Sequence, residues 1–154
     1  MLTWPHADSD WAETLDQVEP VFLNLAEAIA RREQLLVNCA DRVQIEQIRQ
    51  KLLDQGVPET RLNFALTPSD DTWARDHGPL TVVDDAQLQL LDFRFNGWGN
   101  KYPAARDNAI NRLLATTGRF GNHPLHSFDL VLEGGSIDSD GQGTLLTTTS
   151  CQLH

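Results

Sequence analysis

The order in which short apolar runs and amphipathic stretches follow one another limits what this chain can fold into more than any other feature. Residues 13–32 carry Leu15, Val18, Phe22, Leu25 and Ile29 at steps of three and four, which predicts an amphipathic helix that Pro20 either kinks or opens. Residues 35–39 read as a buried strand. Asp41 with Gln44 three positions on resembles a capping box, for a helix that buries Ile45, Ile48 and Leu52 and stops at Gly56-Val57-Pro58. Leu62, Phe64 and Leu66 alternate as a further strand. Residues 80–83 and 88–95 flank Asp84-Asp85-Ala86 as a hairpin. A helix expected from Pro103 buries Ile110, Leu113 and Leu114 before Gly118. Residues 128–132 form a strand, and Ile137 and residues 145–149 flank the Gly-rich reversal 138–143. After the opening helix the order is therefore β-α-β, β-β-α-β, β-β: an α/β chain built of a repeated ββαβ unit, cut at both ends.

A repeat of this kind gathers equivalent positions around one centre. Asp76 and Glu133 each follow the strand that closes a unit, which gives a reason for two carboxylates 57 residues apart to share a site. Two convergent carboxylates form a fork for a planar cation such as guanidinium, whose fixed donors they match with charge-assisted bonds. Taken singly, each motif also reads as structure. Arg75 and Asp76 suit a turn-stabilising ion pair with Trp73 in the core, and Glu133 suits a plain turn beside Gly134 and Gly135. Residues 95–102, Phe-Asn-Gly-Trp-Gly-Asn-Lys-Tyr, form an aromatic, glycine-rich loop that suits a ligand contact and a tucked-in loop equally.

Composition narrows the classes. Acidic residues outnumber basic ones by 22 to 12, for a formal charge of −10. That disfavours nucleic acid, whose phosphates need Lys and Arg, and agrees with a cationic ligand or simply a soluble surface. No apolar run approaches a membrane span and no signal-peptide pattern opens the chain. Cys39 and Cys151 are far apart, which points to a reducing, cytoplasmic setting. Cys39 reads as a small buried residue, and Cys151 as a strand-end residue after a Thr-Thr run. The histidines His6, His77, His123, His126 and His154 lack metal-tetrad spacing, and Asp138 and Asp140 lack the rest of a calcium loop. No metal or other cofactor is expected.

Trp73-Ala74-Arg75-Asp76-His77-Gly78-Pro79, then the 95–102 loop, then Leu132-Glu133-Gly134-Gly135-Ser136-Ile137-Asp138 with Gly141-x-Gly-Thr-Leu-Leu-Thr-Thr resemble, in series, one family. It is the agmatine deiminase family, also described as bacterial, Porphyromonas-type peptidylarginine deiminases. Leu2-Thr3-Trp4-Pro5-His6 and Asp10-Trp11 are similar to its N-terminal region, so the resemblance runs along the whole chain. It implies a pentein, an α/β propeller of five ββαβ units of which about two are present. Residues 1–154 would be the N-terminal part of a single catalytic domain, truncated at both ends. The implied reaction turns agmatine into N-carbamoylputrescine and ammonia, for putrescine biosynthesis, through a covalent intermediate on a cysteine thiolate. The resemblance implies that Asp76 binds the guanidinium nitrogens, that Glu133 orients the group and supports the catalytic histidine, and that Trp73 lines the substrate channel. The family's nucleophilic cysteine and catalytic histidine match no position here, so the fragment is expected to be inactive alone. Peptidyl-arginine as substrate and a non-catalytic guanidinium-binding module are the alternatives, and self-association of the intact protein stays open.

Overall fold

The computed structural model describes residues 1–152, in two compact units that divide after Thr72. His154 lies outside the described residues.

The first unit is a three-stranded parallel sheet with two helices. Its elements are β1 (Leu2–Thr3), α1 (Leu15–Ala30), β2 (Leu35–Cys39), α2 (Arg42–Asp54) and β3 (Leu62–Leu66), with strand order β1-β2-β3. A central parallel strand is buried, and Leu35, Val37 and Cys39 on β2 are at most 1% exposed. They join Trp4, Leu23, Ile48, Leu52 and Phe64 in one core, where burying each large side chain is worth about 1.5–3 kcal/mol. β1 lies beyond the reach of the apolar pattern because two residues cannot display an alternation. It pairs Leu2 with Val37 and Thr3 with Asn38, and the buried Asn38 amide donates to Thr3 Oγ1 at 3.2 Å.

α1 differs from its expected face. Leu23, Ala26 and Ala30 are buried, Phe22 and Ile29 are half-buried, and Leu25 is exposed. Small residues at 26 and 30 let the helix lie close to its neighbours, so the alanines and Leu23 are the buried positions, while Phe22 and Ile29 of the expected row pack against the core from its edge. The helix opens at Leu15 and runs through Pro20, which stands on an exposed side beyond the first turn. α2 starts and stops as its sequence dictates. Asp41 Oδ1 accepts from the Gln44 N–H at 2.8 Å, and Gln44 Oε1 accepts from the Ala40 N–H, one residue earlier than a capping box requires. At the far end Gly56 has φ +83, with its N–H on the Leu53 carbonyl and that of Val57 on the Leu52 carbonyl, a Schellman ending.

The second unit carries α3 (Ala74–His77), β4 (Leu80–Asp84), β5 (Gln87–Arg94), the single turn α4 (Gly97–Asn100), α5 (Ile110–Thr116), β6 (Leu125–Val131), β7 (Ile137–Ser139), β8 (Leu145–Thr147) and α6 (Thr149–Gln152). β4 and β5 pair antiparallel out to Asp84 and Gln87, and Asp85 and Ala86, at φ +45 and +63, make the two-residue type I′ reversal. β6 lies parallel to β5 after α5, which completes a ββαβ unit, and the β7–β8 hairpin follows. The element order is the one expected, and the mixed α/β unit leaves an open arrangement, not a closed barrel, among the described residues.

Several boundaries move. The helix expected from Pro103 begins at Ile110, after a tight turn at Asp107–Ala109, because the preceding residues are committed to the aromatic loop. Seven residues bury a single stripe, Ile110, Asn111 and Leu114, and leave Leu113 exposed. β6 starts at Leu125 instead of 128, and Cys151 belongs to α6 instead of a strand end. Phe128, Leu130, Leu145 and Leu146 are exposed, and the same unit has a groove of about 750 Å³ lined by Leu91, Phe93, Leu130, Leu132, Ile137 and Leu145 among others. No helix among the described residues is long and apolar enough to cross a membrane.

Candidate active site

The two acidic motifs meet in the second unit. The backbone N–H of Gly135 donates to Asp76 Oδ1 at 3.0 Å, and the Arg75 guanidinium reaches the Ile137 carbonyl at 3.1 Å. Arg75 is thus spent on the backbone of the second motif as well as lying beside Asp76. The glycines are there because the turns touch. A Cβ on Gly134 would stand 2.2 Å from the Arg75 carbonyl oxygen, and one on Gly135 would stand 2.3 Å from Asp76 Oδ1. Glu133 lies two residues beyond β6, half-buried and extended, and its carbonyl accepts from the Ser136 N–H at 3.0 Å and Ser136 Oγ at 2.7 Å. Its backbone is therefore locked by a tight turn at Gly134–Ser136 that packs on α3.

Burial raises the Asp76 carboxyl above its ordinary value, while the Gly135 hydrogen bond and the Arg75 charge pull it down. One carboxylate oxygen is engaged by Gly135, which leaves Oδ2 to accept from a ligand. A cation delivered there would relieve the cost of burying the charge. Next to Asp76, burial lowers the His77 imidazole to about 4, so it is neutral at physiological pH.

Trp73 caps the start of α3 and meets Trp98 edge-on, with centroids 5.4 Å apart. Trp98 in turn packs edge-on against Phe95 at 5.2 Å and Tyr102 at 5.7 Å. The 95–102 loop therefore delivers its aromatic cluster to the tryptophan of the first motif. Its backbone is strained for this purpose: Trp98 and Asn100 adopt φ +57 and +64. Asn96 Oδ1 caps the turn through the Gly99 N–H at 2.9 Å, and Asn108 Oδ1 holds the Phe95 N–H at 2.9 Å. The sequence marked this loop by its composition but gave no sign that Trp98 would be the residue meeting Trp73.

The cysteines stand apart from such chemistry. Cys39 is buried in the first unit, and desolvation pushes its thiol up to about 12. Cys151 is exposed on α6, where Thr148 Oγ1 donates to its sulfur at 3.1 Å.

The second unit is thus an α/β scaffold whose loops hold a half-buried carboxylate at Asp76 and, starting three residues earlier at Trp73, an aromatic cluster. The particular family is equally definite: the chain belongs to the Porphyromonas-type peptidyl-arginine deiminases, which it matches over residues 1–154. It is 35% identical to the agmatine deiminase of Pseudomonas aeruginosa strain LESB58, an alignment that covers 99% of this chain and 41% of that one. Among solved structures it is similar to a C. jejuni agmatine deiminase with a Cys-to-Ser replacement and substrate bound. That match has 31% identity and a TM-score of 0.83, and covers 96% of this chain and 41% of the other. It is also similar to the agmatine deiminase of Enterococcus faecalis, at 29% identity and TM-score 0.82, covering 99% and 41%. The chain thus spans about two fifths of the length of the relatives it matches.

Proposed function

We propose that residues 1–154 form the N-terminal part of one deiminase catalytic domain, a five-unit pentein when whole, and supply its guanidinium-binding carboxylates. Asp76 and Glu133 bind the guanidinium of agmatine, Trp73 lines the channel to it, and Glu133 also supports a catalytic histidine supplied from elsewhere in the fold. The intact enzyme releases ammonia as a cysteine thiolate displaces it from the guanidinium carbon. Water then frees N-carbamoylputrescine, a precursor of putrescine, in the cytoplasm. The observation that carries this reading is the Gly135–Asp76 hydrogen bond, which joins the turns of the two motifs and leaves the second carboxylate oxygen for a ligand.

The 154-residue chain alone binds but does not react. A thiol at about 12 holds almost no thiolate at neutral pH, which removes Cys39 as a nucleophile. Calorimetry with agmatine tests the binding, which is expected to be lost in both Asp76→Asn and Glu133→Gln. No heat with the wild-type chain, or full binding by both variants, would sink the proposal. Ammonia release by this chain, abolished in Asp76→Ala, would overturn its inactivity. The family's description favours a second reading, peptidyl-arginine as substrate. Tighter binding of an arginine-containing peptide than of agmatine would select it.

A further inference from the structure

Beneath α3 runs a line of buried polar groups that the site itself does not use. Asp92 on β5 is 3% exposed and Asn111 on α5 is 1% exposed. The Asn111 amide donates twice, to Asp92 Oδ1 at 2.9 Å and to the His77 carbonyl at 2.7 Å. The other Asp92 oxygen accepts from Ser127 Oγ on β6 at 2.8 Å and lies 3.5 Å from Arg112 Nε. His77 closes α3, directly after Asp76.

A buried carboxylate is a poor way to stabilise a sheet, since apolar side chains of similar volume do so at lower desolvation cost. What an acid provides here is direction. A carboxylate accepts and cannot donate, so it faces the NH₂ end of the Asn111 amide and never the oxygen. The second N–H of that NH₂ group is then aimed at the His77 carbonyl. α3 is a single turn, too short to hold its own geometry without tertiary contacts. Gly135 grips the Asp76 side chain on one side, and Asn111 grips the main chain one residue later on the other.

We infer that Asn111, oriented by Asp92, is a positioning residue that aims the Asp76 carboxylate, an inference that rests on the reading of Asp76 as a guanidinium ligand. The pair touches no substrate. It sets where the carboxylate stands, and so should govern ligand affinity separately from fold stability.

The test compares Asn111→Leu, which removes both donors at similar volume, with Ser127→Ala, which loosens Asp92 without touching the link to α3. Two quantities are read: agmatine affinity, and the amide resonance of Gly135 in the ligand-free chain, which reports its bond to Asp76. Asn111→Leu should weaken agmatine at least tenfold and move the Gly135 amide towards an unbonded position. Ser127→Ala should lower the melting temperature yet leave affinity within twofold. Asp92→Asn, whose amide can present a donor as well as an oxygen to Asn111, removes the direction the acid supplies and should weaken agmatine, though less than Asn111→Leu. A folded Asn111→Leu with wild-type affinity and an unmoved Gly135 amide overturns the inference. So does a Ser127→Ala chain weakened as much as Asn111→Leu. If Asn111→Leu does not fold, Asn111→Ser, with one donor left, must give an intermediate shift of the Gly135 amide, and none overturns the inference. Should the wild-type chain bind no agmatine, the guanidinium reading fails, while the Gly135 resonance still decides whether Asn111 positions Asp76.

Discussion

Gly135 and Asp76 are joined by a 3.0 Å hydrogen bond from the glycine N–H to the carboxylate, and a Cβ on that glycine would fall 2.3 Å from the same oxygen. The absence of a side chain at 135 is therefore part of the site. Gly135→Ala should displace the Asp76 carboxylate, the mobile end of a side chain, at modest cost to stability and with loss of agmatine binding. Gly134→Ala meets the Arg75 carbonyl oxygen at 2.2 Å, which cannot step aside, and should cost the more, about 1–3 kcal/mol. Urea unfolding and agmatine titration of both variants check the order; a Gly135→Ala chain less stable than Gly134→Ala would contradict it.

Asp76→Asn separates binding from stability. Burial raises this carboxyl, so the native state prefers it protonated. The associated stability is present below the unfolded value and is lost as pH rises through the native one. At pH 7 the charge therefore works against folding, while an asparagine keeps an oxygen for Gly135. The variant should melt at the wild-type temperature or above it, with agmatine binding lost. In the wild type, affinity should fall as pH drops through the native Asp76 value. A melting temperature several degrees lower for Asp76→Asn would refute the sign.

His77 sets an acid limit. Its imidazole is held down to about 4, from 6.5 in an open chain. The unfolded state takes up a proton first, so stability is full above about 6.5 and declines as pH falls towards 4, by roughly 3 kcal/mol in all. Denaturant unfolding at pH 7, 5.5 and 4 should follow that slope, and His77→Gln should flatten it even though the variant starts less stable. An unchanged slope in His77→Gln would assign the acid sensitivity elsewhere.

Gly97 holds the aromatic loop in place, with φ +65 and a Cβ position 2.2 Å from the Tyr102 carbonyl oxygen. Gly97→Ala should open the loop, cost about 1–3 kcal/mol and separate Trp98 from Trp73. Near-ultraviolet circular dichroism would register the loss of the edge-on tryptophan pair, and agmatine affinity should drop with it. Retention of the dichroic signal would mean that the loop tolerates a side chain there.

Much of this molecule could be read along the chain because the relevant forces act along the chain. The stop at Gly56 and the reversal at Asp85 and Ala86 are local backbone events with local residue signatures. The element order followed from periodicity for the same reason. The misplaced faces have a shared cause: Leu25 and Leu113 look like core by size, yet the alanines of α1 and the brevity of α5 decide which side turns inward. Asp92 and Asn111 were invisible, since a polar residue within a strand or short helix carries no mark of being buried. The candidate site was legible as two motifs, and their approach was expected from the repeat. The means of approach was not, because a side chain bonded to a main-chain N–H leaves no complementary residue type to find.

The bond between Asp76 and Gly135 closes a loop whose ends are 59 residues apart. Closing so long a loop costs roughly 3–4 kcal/mol in chain entropy, whereas one hydrogen bond returns about 1 kcal/mol net. It can form only after the β4–β5 hairpin, α5 and β6 have already brought the two turns together. The candidate site is thus the last thing this unit assembles, and a ligand bound there would certify that every element between its two turns has folded.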